Sequence, residues 1–394
     1  MKGVWHLAWR YLCFHKYKTL VLVASIGLIV FIPTGLNVLV KKGSEQLTAR
    51  AEQTPLMLGR VGSPLELVLN GLYFQSDTPP PLNFGDYLAI KDMDMGQVIP
   101  LHTGFWSRGF PIIGTRLSYF SFRHLALQEG RWLGFLGEAV IGASVAKETG
   151  LQVGDTIISA PETAFNLAGA YPLKMTIVGV IGKTSTPDDD AILVDLKTSW
   201  VMEGLGHGHT DLSKDDASGF ILNQNGKSII ANAAVNQFQE ITPENIRSFH
   251  FHGNNGTYPL HAVIVIPKDQ KHSALLQGRY QSHAALQLQN PASIIGKLLE
   301  TVFSVRQYVL IGAFLMVLSA GAMSVLVFML SQQLRAHELV AMKKIGAAKS
   351  FVVGMVTCEI VMVLVSGVLL GMILTLLSEK YGLVFLQSII VSGV

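Results

Sequence analysis

Two pairs of histidines have a spacing that favours metal chemistry. His207 and His209 flank a glycine in GLGHGHTD, and a second pair, His250 and His252, flanks a phenylalanine in SFHFHGNN. Side chains two residues apart in an extended chain point the same way, so each pair can offer two imidazoles to one ion. The four histidines are candidate ligands of a transition metal such as zinc. The alternative is that glycine-rich loops carry surface histidines with no chemical role.

Three fragments of enzyme motifs are incomplete. NGKS at 225–228 resembles the end of a phosphate-binding loop, but Ile221 stands where that pattern requires glycine. HELVA, which begins at His337, has Ala341 in place of the second histidine of a metalloprotease helix, and GASVA at 142–146 lacks the second glycine of a hydrolase elbow. We therefore expect no catalytic residue and no ATP site on this chain, which disfavours a membrane-anchored enzyme.

The stretch RAHELVAMKKIGAA, residues 335–348, places five ionisable side chains between two very apolar segments. A short helix with Leu339, Val340, Met342 and Ile345 among its charges would lie at the membrane surface and present a polar face to a partner. Gly346 would permit the turn into the next helix. The alternative is a solvated loop whose basic residues follow the positive-inside rule.

Composition and apolar runs predict the elements that position these residues. The chain is 49% hydrophobic and 14% charged, which is typical of a membrane protein. A transmembrane helix needs about 20 apolar residues, and three segments satisfy this length: 19–40, 307–331 and 351–377. Residues 378–394 are apolar but short and predict a partial fourth helix, while 1–18 predict an amphipathic helix at the membrane interface.

Basic residues near the helix ends favour a cytoplasmic location for 1–18 and for the loop 332–350. Residues 41–306 then form a large extracytoplasmic domain. Its short Val- and Ile-rich segments, such as MTIVGVIG, AILVDL and HAVIVIP, predict strands of an α+β domain, and the polar region 200–255 predicts an inserted subdomain. Asp188, Asp189 and Asp190 are predicted to form a solvated turn. The net charge of +3 disfavours nucleic acid as a partner.

Polar and small residues inside the predicted spans indicate helix contacts. Glu359 lies eight residues after the start of the third span, where a carboxylate is costly and predicts a partner group or a wet cavity. Gly367 and Gly371 form a GxxxG pattern, and Ala320 with Ser324 is a second pair of small residues, so both pairs predict close helix packing.

The chain resembles the FtsX-like permeases of the MacB type, which are membrane subunits of ABC transporters. The resemblance is carried by LAWRYLCFHKYKTLVLVASIGLIVF at 7–31, by EGRWLGFLGEAVIGASVAKETGLQVGDTIIS at 129–159, by MTIVGVIGKTSTPDDDAILVDL at 175–196, and by RAHELVAMKKIGAAKSFV at 335–352. The last segment has the family pattern of Arg-x-x-Glu, a hydrophobic stretch and Gly-Ala before a helix. By this resemblance the segment is the coupling helix, which docks on the ATPase subunit of the transporter. The positions that match the pattern, or lie within the helix, are Arg335, Glu338, Leu339, Met342, Lys343, Lys344, Ile345 and Gly346.

The resemblance implies a non-catalytic, multi-pass subunit of a bacterial inner membrane, with its large domain in the periplasm. ATP and Mg²⁺ would bind to a separate cytoplasmic ABC ATPase, and the implied partners are that ATPase, a second copy of the chain, the lipid bilayer and a periplasmic adaptor or substrate-binding protein. The implied function is mechanotransmission that drives transport or extraction of a substrate. The alternatives are a signalling scaffold that activates a periplasmic partner, and an ABC system that handles zinc through the histidine-rich loops.

Overall fold

The structure is a computed structural model that describes residues 2–75, 77–161, 172–208, 221–225, 228–231 and 239–392. The chain divides into two compact units. The first unit comprises Met1–Ala49 and Gly296–Val394, and the second comprises Arg50–Ile295. A large domain is therefore inserted between the helices of the first unit.

Long helices build the first unit. In the part of the chain that the structure describes, its helices are α1 (Lys2–Phe14), α2 (Lys16–Glu52), α9 (Pro291–Leu334), α10 (Ala336–Lys344) and α11 (Lys349–Ser392). Among the described residues, three helical segments are long and apolar enough to cross a membrane: Lys16–Glu52, Leu310–Ser331 and Lys349–Tyr381. These are the three segments in which the apolar runs predicted membrane spans.

The predicted partial fourth helix is not a separate element in the structure. Residues 378–392 continue α11 without a break. The segment contains no proline and only one glycine, Gly382, so nothing local forces the helix to end there.

Helix α1 packs against α11 through one narrow face. Ala8 is fully buried and Leu12 is nearly so, and both join Met355 and Met362 of α11 in one apolar cluster. Trp5, three residues before Ala8 on the same helix, is 58% exposed. The spacing of four residues between the buried positions follows one stripe of the helix. Helix α1 therefore packs against the unit along one stripe, and apolar side chains on its other face remain exposed.

The second unit is an α+β domain. Its α-helices are α3 (Pro64–Tyr73), α4 (Phe84–Asp92), α5 (Leu117–Phe122), α6 (Ala143–Thr149), α7 (Leu196–Met202) and α8 (Gln270–Tyr280). The strands in its described residues are β1 (Leu56–Arg60), β2 (Leu82–Asn83), β3 (Gly96–Ser107), β4 (Phe110–Thr115), β5 (Leu127–Gly130), β6 (Glu138–Ile141), β7 (Thr156–Ile158), β8 (Ala160–Pro161), β9 (Leu173–Ile181), β10 (Ile192–Asp195), β11 (Gly206–His207), β12 (Ile221–Asn225), β13 (Ser228–Ala231), β14 (Gln239–Glu240), β15 (His250–Phe251), β16 (Pro259–Leu260), β17 (Ala262–Pro267) and β18 (Leu286–Gln289).

Strand β3 joins the two halves of the main sheet. The order of the described strands along the sheet is β14-β9-β6-β10-β4-β3-β17-β1-β18. The pairing of β3 with β4 shifts register between His102 and Phe105, and Gly104 has a φ of +102° that favours glycine. One apolar cluster contains Leu58 and Val265 from one half, and a second contains Ile177 and Val194 from the other. The bulge thus allows β3 to contribute side chains to both apolar clusters.

The strands predicted from MTIVGVIG, AILVDL and HAVIVIP are confirmed as β9, β10 and β17. The prediction of a solvated turn is wrong for Asp188 and Asp189, which are buried in a short 3₁₀ helix, whereas Asp190 of the same helix is exposed. Asp189 accepts hydrogen bonds from the backbone of Thr184 and Ser185, which offsets the cost of burying its carboxylate. The predicted inserted subdomain at 200–255 falls partly outside the described residues.

Two histidines in the core of the second unit make its stability depend on pH. His261 is 8% exposed, and burial lowers its pKa to about 4. Its Nδ1 accepts the Thr103 amide proton at 2.9 Å, so the neutral ring fits the site. The neighbouring His102 is fully buried. Its pKa lies well below the usual value, mainly because burial disfavours the charged ring and also because a charge on the nearby His261 would repel it. Both rings are therefore neutral in the folded domain at pH 7.

We expect acid to destabilise the domain before its carboxylates titrate. Below pH 6.5 the unfolded chain binds a proton at His261 and the folded chain does not, so stability falls by about 1.4 kcal/mol per pH unit. The loss from His261 reaches about 3 kcal/mol near pH 4, where the folded protein is also protonated. His261→Asn keeps an acceptor for Thr103 and does not titrate. Urea unfolding from pH 7 to pH 4.5 should show a smaller slope in this variant, and an unchanged slope would contradict the assignment.

Candidate functional site

A buried ion pair lies at the turn between α9 and α10. Arg335 occupies the turn, and its Nη1 lies 2.7 and 3.0 Å from the two carboxylate oxygens of Glu359 in α11. Their side chains are 5% and 2% exposed. Sequence reasoning assigned Arg335 to the coupling helix and Glu359 to the third span, and the structure brings the two together. The partner group that an acid inside a span requires is therefore the arginine 24 residues earlier.

Helix α1 closes the other side of this ion pair. The Arg335 guanidinium carbon lies 3.6 Å from the centre of the Tyr11 ring, and its Nη2 lies 3.7 Å from the Met355 sulfur. A guanidinium stacked on an aromatic face gains cation–π energy, more so when both groups are desolvated. Lys18, near the start of α2, donates a hydrogen bond to Ser331, near the end of α9. Polar contacts thus connect α1, α2, α9 and α11 around the start of α10.

Helix α10 and Ile345, the residue that directly follows it, present apolar side chains outward next to this cluster. Ile345 is 86% exposed and Val340 is 50% exposed, whereas Met342 packs against the apolar cluster of α1 and α11. Gly346 has a φ of +98°, and the Ala347 amide donates to the carbonyl of Met342. This is the Schellman ending of a helix, in which glycine takes the left-handed position. The structure thus ends α10 at the position where the pattern predicts a turn.

The remaining predicted coupling residues belong to the same helix. Glu338, Leu339, Lys343 and Lys344 lie within α10, and the side chain of Lys344 is exposed. Helix α10 is only nine residues long. All the positions that match the family pattern therefore fall on one short helix and the turns that flank it.

The predicted GxxxG pair lies where α11 crosses α2. A Cβ added to Gly367 would come within 2.6 Å of Ile26, and one added to Gly371 would come within 2.7 Å of Val30. The hydroxyls of Thr34 and Thr375 lie 2.9 Å apart one turn further along. Only glycine permits this approach, as expected for small-residue packing between membrane helices.

The second predicted small-residue pair has a different setting. Ala320 and Ser324 of α9 are half-buried, and the Ser324 hydroxyl donates to the Ala320 carbonyl of its own helix at 2.8 Å. A hydroxyl that bonds to its own helix satisfies its polar group without a neighbouring helix. The described contacts of this pair therefore lie within α9.

A second buried ion pair lies within the second unit, which begins at Arg50 in the last turn of α2. Arg50 Nη1 lies 2.6 Å from Asp188 Oδ2, and the Tyr119 hydroxyl donates to Asp188 Oδ1 at 2.6 Å. Arg50 is 6% exposed and Asp188 is 1% exposed. Burial alone would raise the pKa of Asp188, but the Arg50 guanidinium and these hydrogen bonds hold it below its usual range. Sequence reasoning missed this network, because Arg50 and Asp188 are 138 residues apart.

Three of the four candidate metal-ligating histidines come together. His207 in β11 lies directly opposite His250 in β15, and His252 follows two residues later. One potential ligand atom from each ring lies within 4.8 Å of the corresponding atoms of the other two. His209 lies outside the described residues.

A comparison with protein families identifies the domain that the second unit contains. Residues 20–223 match the family model of the MacB-like periplasmic core domain. A search of curated proteins finds no match. Among solved structures, the periplasmic region of MacB from Actinobacillus actinomycetemcomitans is 13% identical with a TM-score of 0.33, over 62% of this chain and 92% of that chain.

The extracellular domain of the noncanonic ABC-type transporter YknZ from Gram-positive bacteria is also 13% identical, with a TM-score of 0.31, over 59% of this chain and 98% of that chain. The assignment rests on the family model, which spans more than half of the sequence. The chain belongs to the MacB/FtsX-type family of ABC transporter permeases, and it carries their MacB-like periplasmic core domain.

Proposed function

We propose that the chain couples ATP hydrolysis by a separate cytoplasmic ABC ATPase to movement of its periplasmic domain. It would act in the bacterial inner membrane as a homodimer, and the movement would drive transport or extraction of a substrate. ATP and Mg²⁺ would bind to the ATPase, and a periplasmic adaptor or substrate-binding protein is a further partner in this proposal. The main support for this proposal is the exposed apolar side chain of Ile345 at the end of α10, next to the buried ion pair of Arg335 and Glu359.

The contacts of α10 suit a docking element. Ile345 is almost fully exposed, so its side chain contributes little to folding and is available to a groove on a partner. Arg335 and Met342, in contrast, bind the helix to α11 and α1. A force applied to Ile345 would therefore reach α11 through a buried, hydrogen-bonded contact rather than through a loose loop.

We expect Ile345→Asp to separate the permease from its ATPase without unfolding it. An epitope-tagged chain purified from its native host in mild detergent should retain the ATPase, and the variant should retain about tenfold less or lower, as for loss of an interface hot spot. Val61→Asp is the matched control, because Val61 is an exposed β-branched residue of the other unit, at 51%.

Equal recovery of the ATPase with Ile345→Asp would contradict docking through α10. If no ATPase accompanies the unaltered chain under conditions that preserve its oligomeric state, the proposal of mechanotransmission is contradicted. The signalling scaffold would be supported instead if the ATPase is recovered but its hydrolysis moves no substrate.

A further inference from the structure

A small two-stranded ladder gathers three imidazoles on one face. Strands β11 and β15 are antiparallel, with His207 opposite His250. The ring centres of His207 and His250 lie 5.0 Å apart, those of His207 and His252 4.7 Å apart, and those of His250 and His252 4.5 Å apart. His207 and His250 are half-buried and His252 is exposed. The cluster is thus open to solvent on one side and supported on the other.

The alternation of the second strand explains why the imidazoles share a face. Phe249 and Phe251 alternate with His250 and His252, and both phenylalanines pack against the apolar clusters of the domain. Side chains on the opposite face of a strand must then point away from the core. A Cβ added to Gly206 would come within 2.7 Å of the Phe251 ring, so the partner strand needs glycine there to approach.

We propose that His207, His250 and His252 form a binding site for a divalent transition metal of the zinc type. Zn²⁺ binds imidazole nitrogen at 2.0–2.1 Å, so nitrogens in a tetrahedral site lie about 3.4 Å apart. The potential ligand atoms of the three rings lie within 4.8 Å of one another, and rotation about the side-chain bonds can close that difference. Three protein ligands leave one tetrahedral position for water or an external donor.

The contact of His250 with its own strand supports this role. Its Nδ1 lies 3.0 Å from the carbonyl oxygen of Ser248. With the proton on Nδ1 the ring donates to this carbonyl, and Nε2 is then the nitrogen that carries the lone pair. An outer hydrogen bond of this kind orients a ligating histidine and fixes its tautomer.

A metal at this site would join two chain segments that are far apart in sequence. His207 and His250 stand at the two ends of the region between β11 and β15, so one ion would cross-link those ends. Closing such a long loop removes conformational freedom, and binding energy that depends on the folded ladder adds to folding stability. This inference concerns the domain itself and does not depend on the proposed docking of an ATPase.

The test is zinc binding by the purified full chain in detergent after treatment with a chelator. We expect one site in a competition titration against a chromophoric chelator, and Co²⁺ in place of Zn²⁺ should give the visible absorption of a tetrahedral nitrogen site. His250→Gln and His207→Gln should each weaken binding by about 100-fold or more, since loss of even an outer-sphere partner costs 10–100-fold. Zn²⁺ should raise the melting temperature of the unaltered chain but not of these variants.

His124→Asn is the matched control. His124 is exposed in the same domain and has a φ of 52°, a conformation that asparagine tolerates. It should bind zinc as the unaltered chain does. Circular dichroism and the metal-free melting temperature should confirm that each glutamine variant is folded. The proposal is overturned if the unaltered chain binds no zinc, or if the glutamine variants bind as tightly as His124→Asn.

Discussion

Arg50→Ala is expected to lower the free energy of unfolding of the second unit by about 3–5 kcal/mol, the usual cost of removing one partner from a buried ion pair. The substitution leaves the ionised carboxylate of Asp188 in a site where it is 1% exposed. Tyr119 keeps its hydrogen bond to Asp188, but its hydroxyl is neutral and cannot replace the charge. Urea unfolding of the full chain in detergent, followed by tryptophan fluorescence, measures the effect.

Lys268→Ala is the control for this prediction. Lys268 and Asp94 form an ion pair of 2.7 Å in the same unit, but their side chains are 48% and 86% exposed. Exposed pairs contribute about 0–1 kcal/mol, so the control should change stability little. A loss below about 1 kcal/mol for Arg50→Ala would mean that water reaches Asp188 readily, and it would contradict the assignment of a large stabilising role to this buried ion pair.

Glu359→Gln is expected to have the second large effect, because it leaves Arg335 charged and buried without its carboxylate. We expect the contact between α10 and α11 to weaken by about 3–5 kcal/mol. Cys358, half-buried beside Glu359, offers a direct probe once the exposed Cys13 is replaced by serine. If labelling of Cys358 by a thiol reagent requires local opening, its rate should rise by about 100-fold or more. Recovery of the ATPase should fall in parallel.

Two further variants isolate the cause. Lys42 and Glu379 form an exposed pair in the same unit, so Glu379→Gln should leave the labelling rate of Cys358 nearly unchanged. The double variant Arg335→Met/Glu359→Leu replaces both charges by apolar groups, which is often neutral for stability. It should restore slow labelling and ATPase binding if the pair acts by holding α10 in place. Slow labelling without ATPase binding would show that the ATPase needs the charge of Arg335 or Glu359 for binding.

Patterns that repeat along the chain were predictable from the sequence. The apolar runs contain enough information to identify the three long helices, and the Val- and Ile-rich segments identify β9, β10 and β17. Gly346 is also predictable, since a left-handed residue at the end of a helix favours glycine for local steric reasons. In each case the physical cause acts within a few residues.

Contacts between distant residues were decided only by the tertiary structure. Nothing near Arg50 in the sequence indicates Asp188. The aspartate run that reads as a solvated turn is partly buried because the fold brings Arg50 of α2 and Tyr119 of α5 to Asp188. Glu359 could be recognised as costly inside a span. Its pairing with Arg335, however, depends on how α9, α10 and α11 pack together in the fold. The histidine spacing indicated candidate ligands, and the register of β11 against β15 decided which of the described ones meet. Periodicity is a property of neighbouring residues, whereas charge pairing and ligand geometry depend on the folded chain, and that is why the sequence alone determined the elements and the tertiary structure determined the sites.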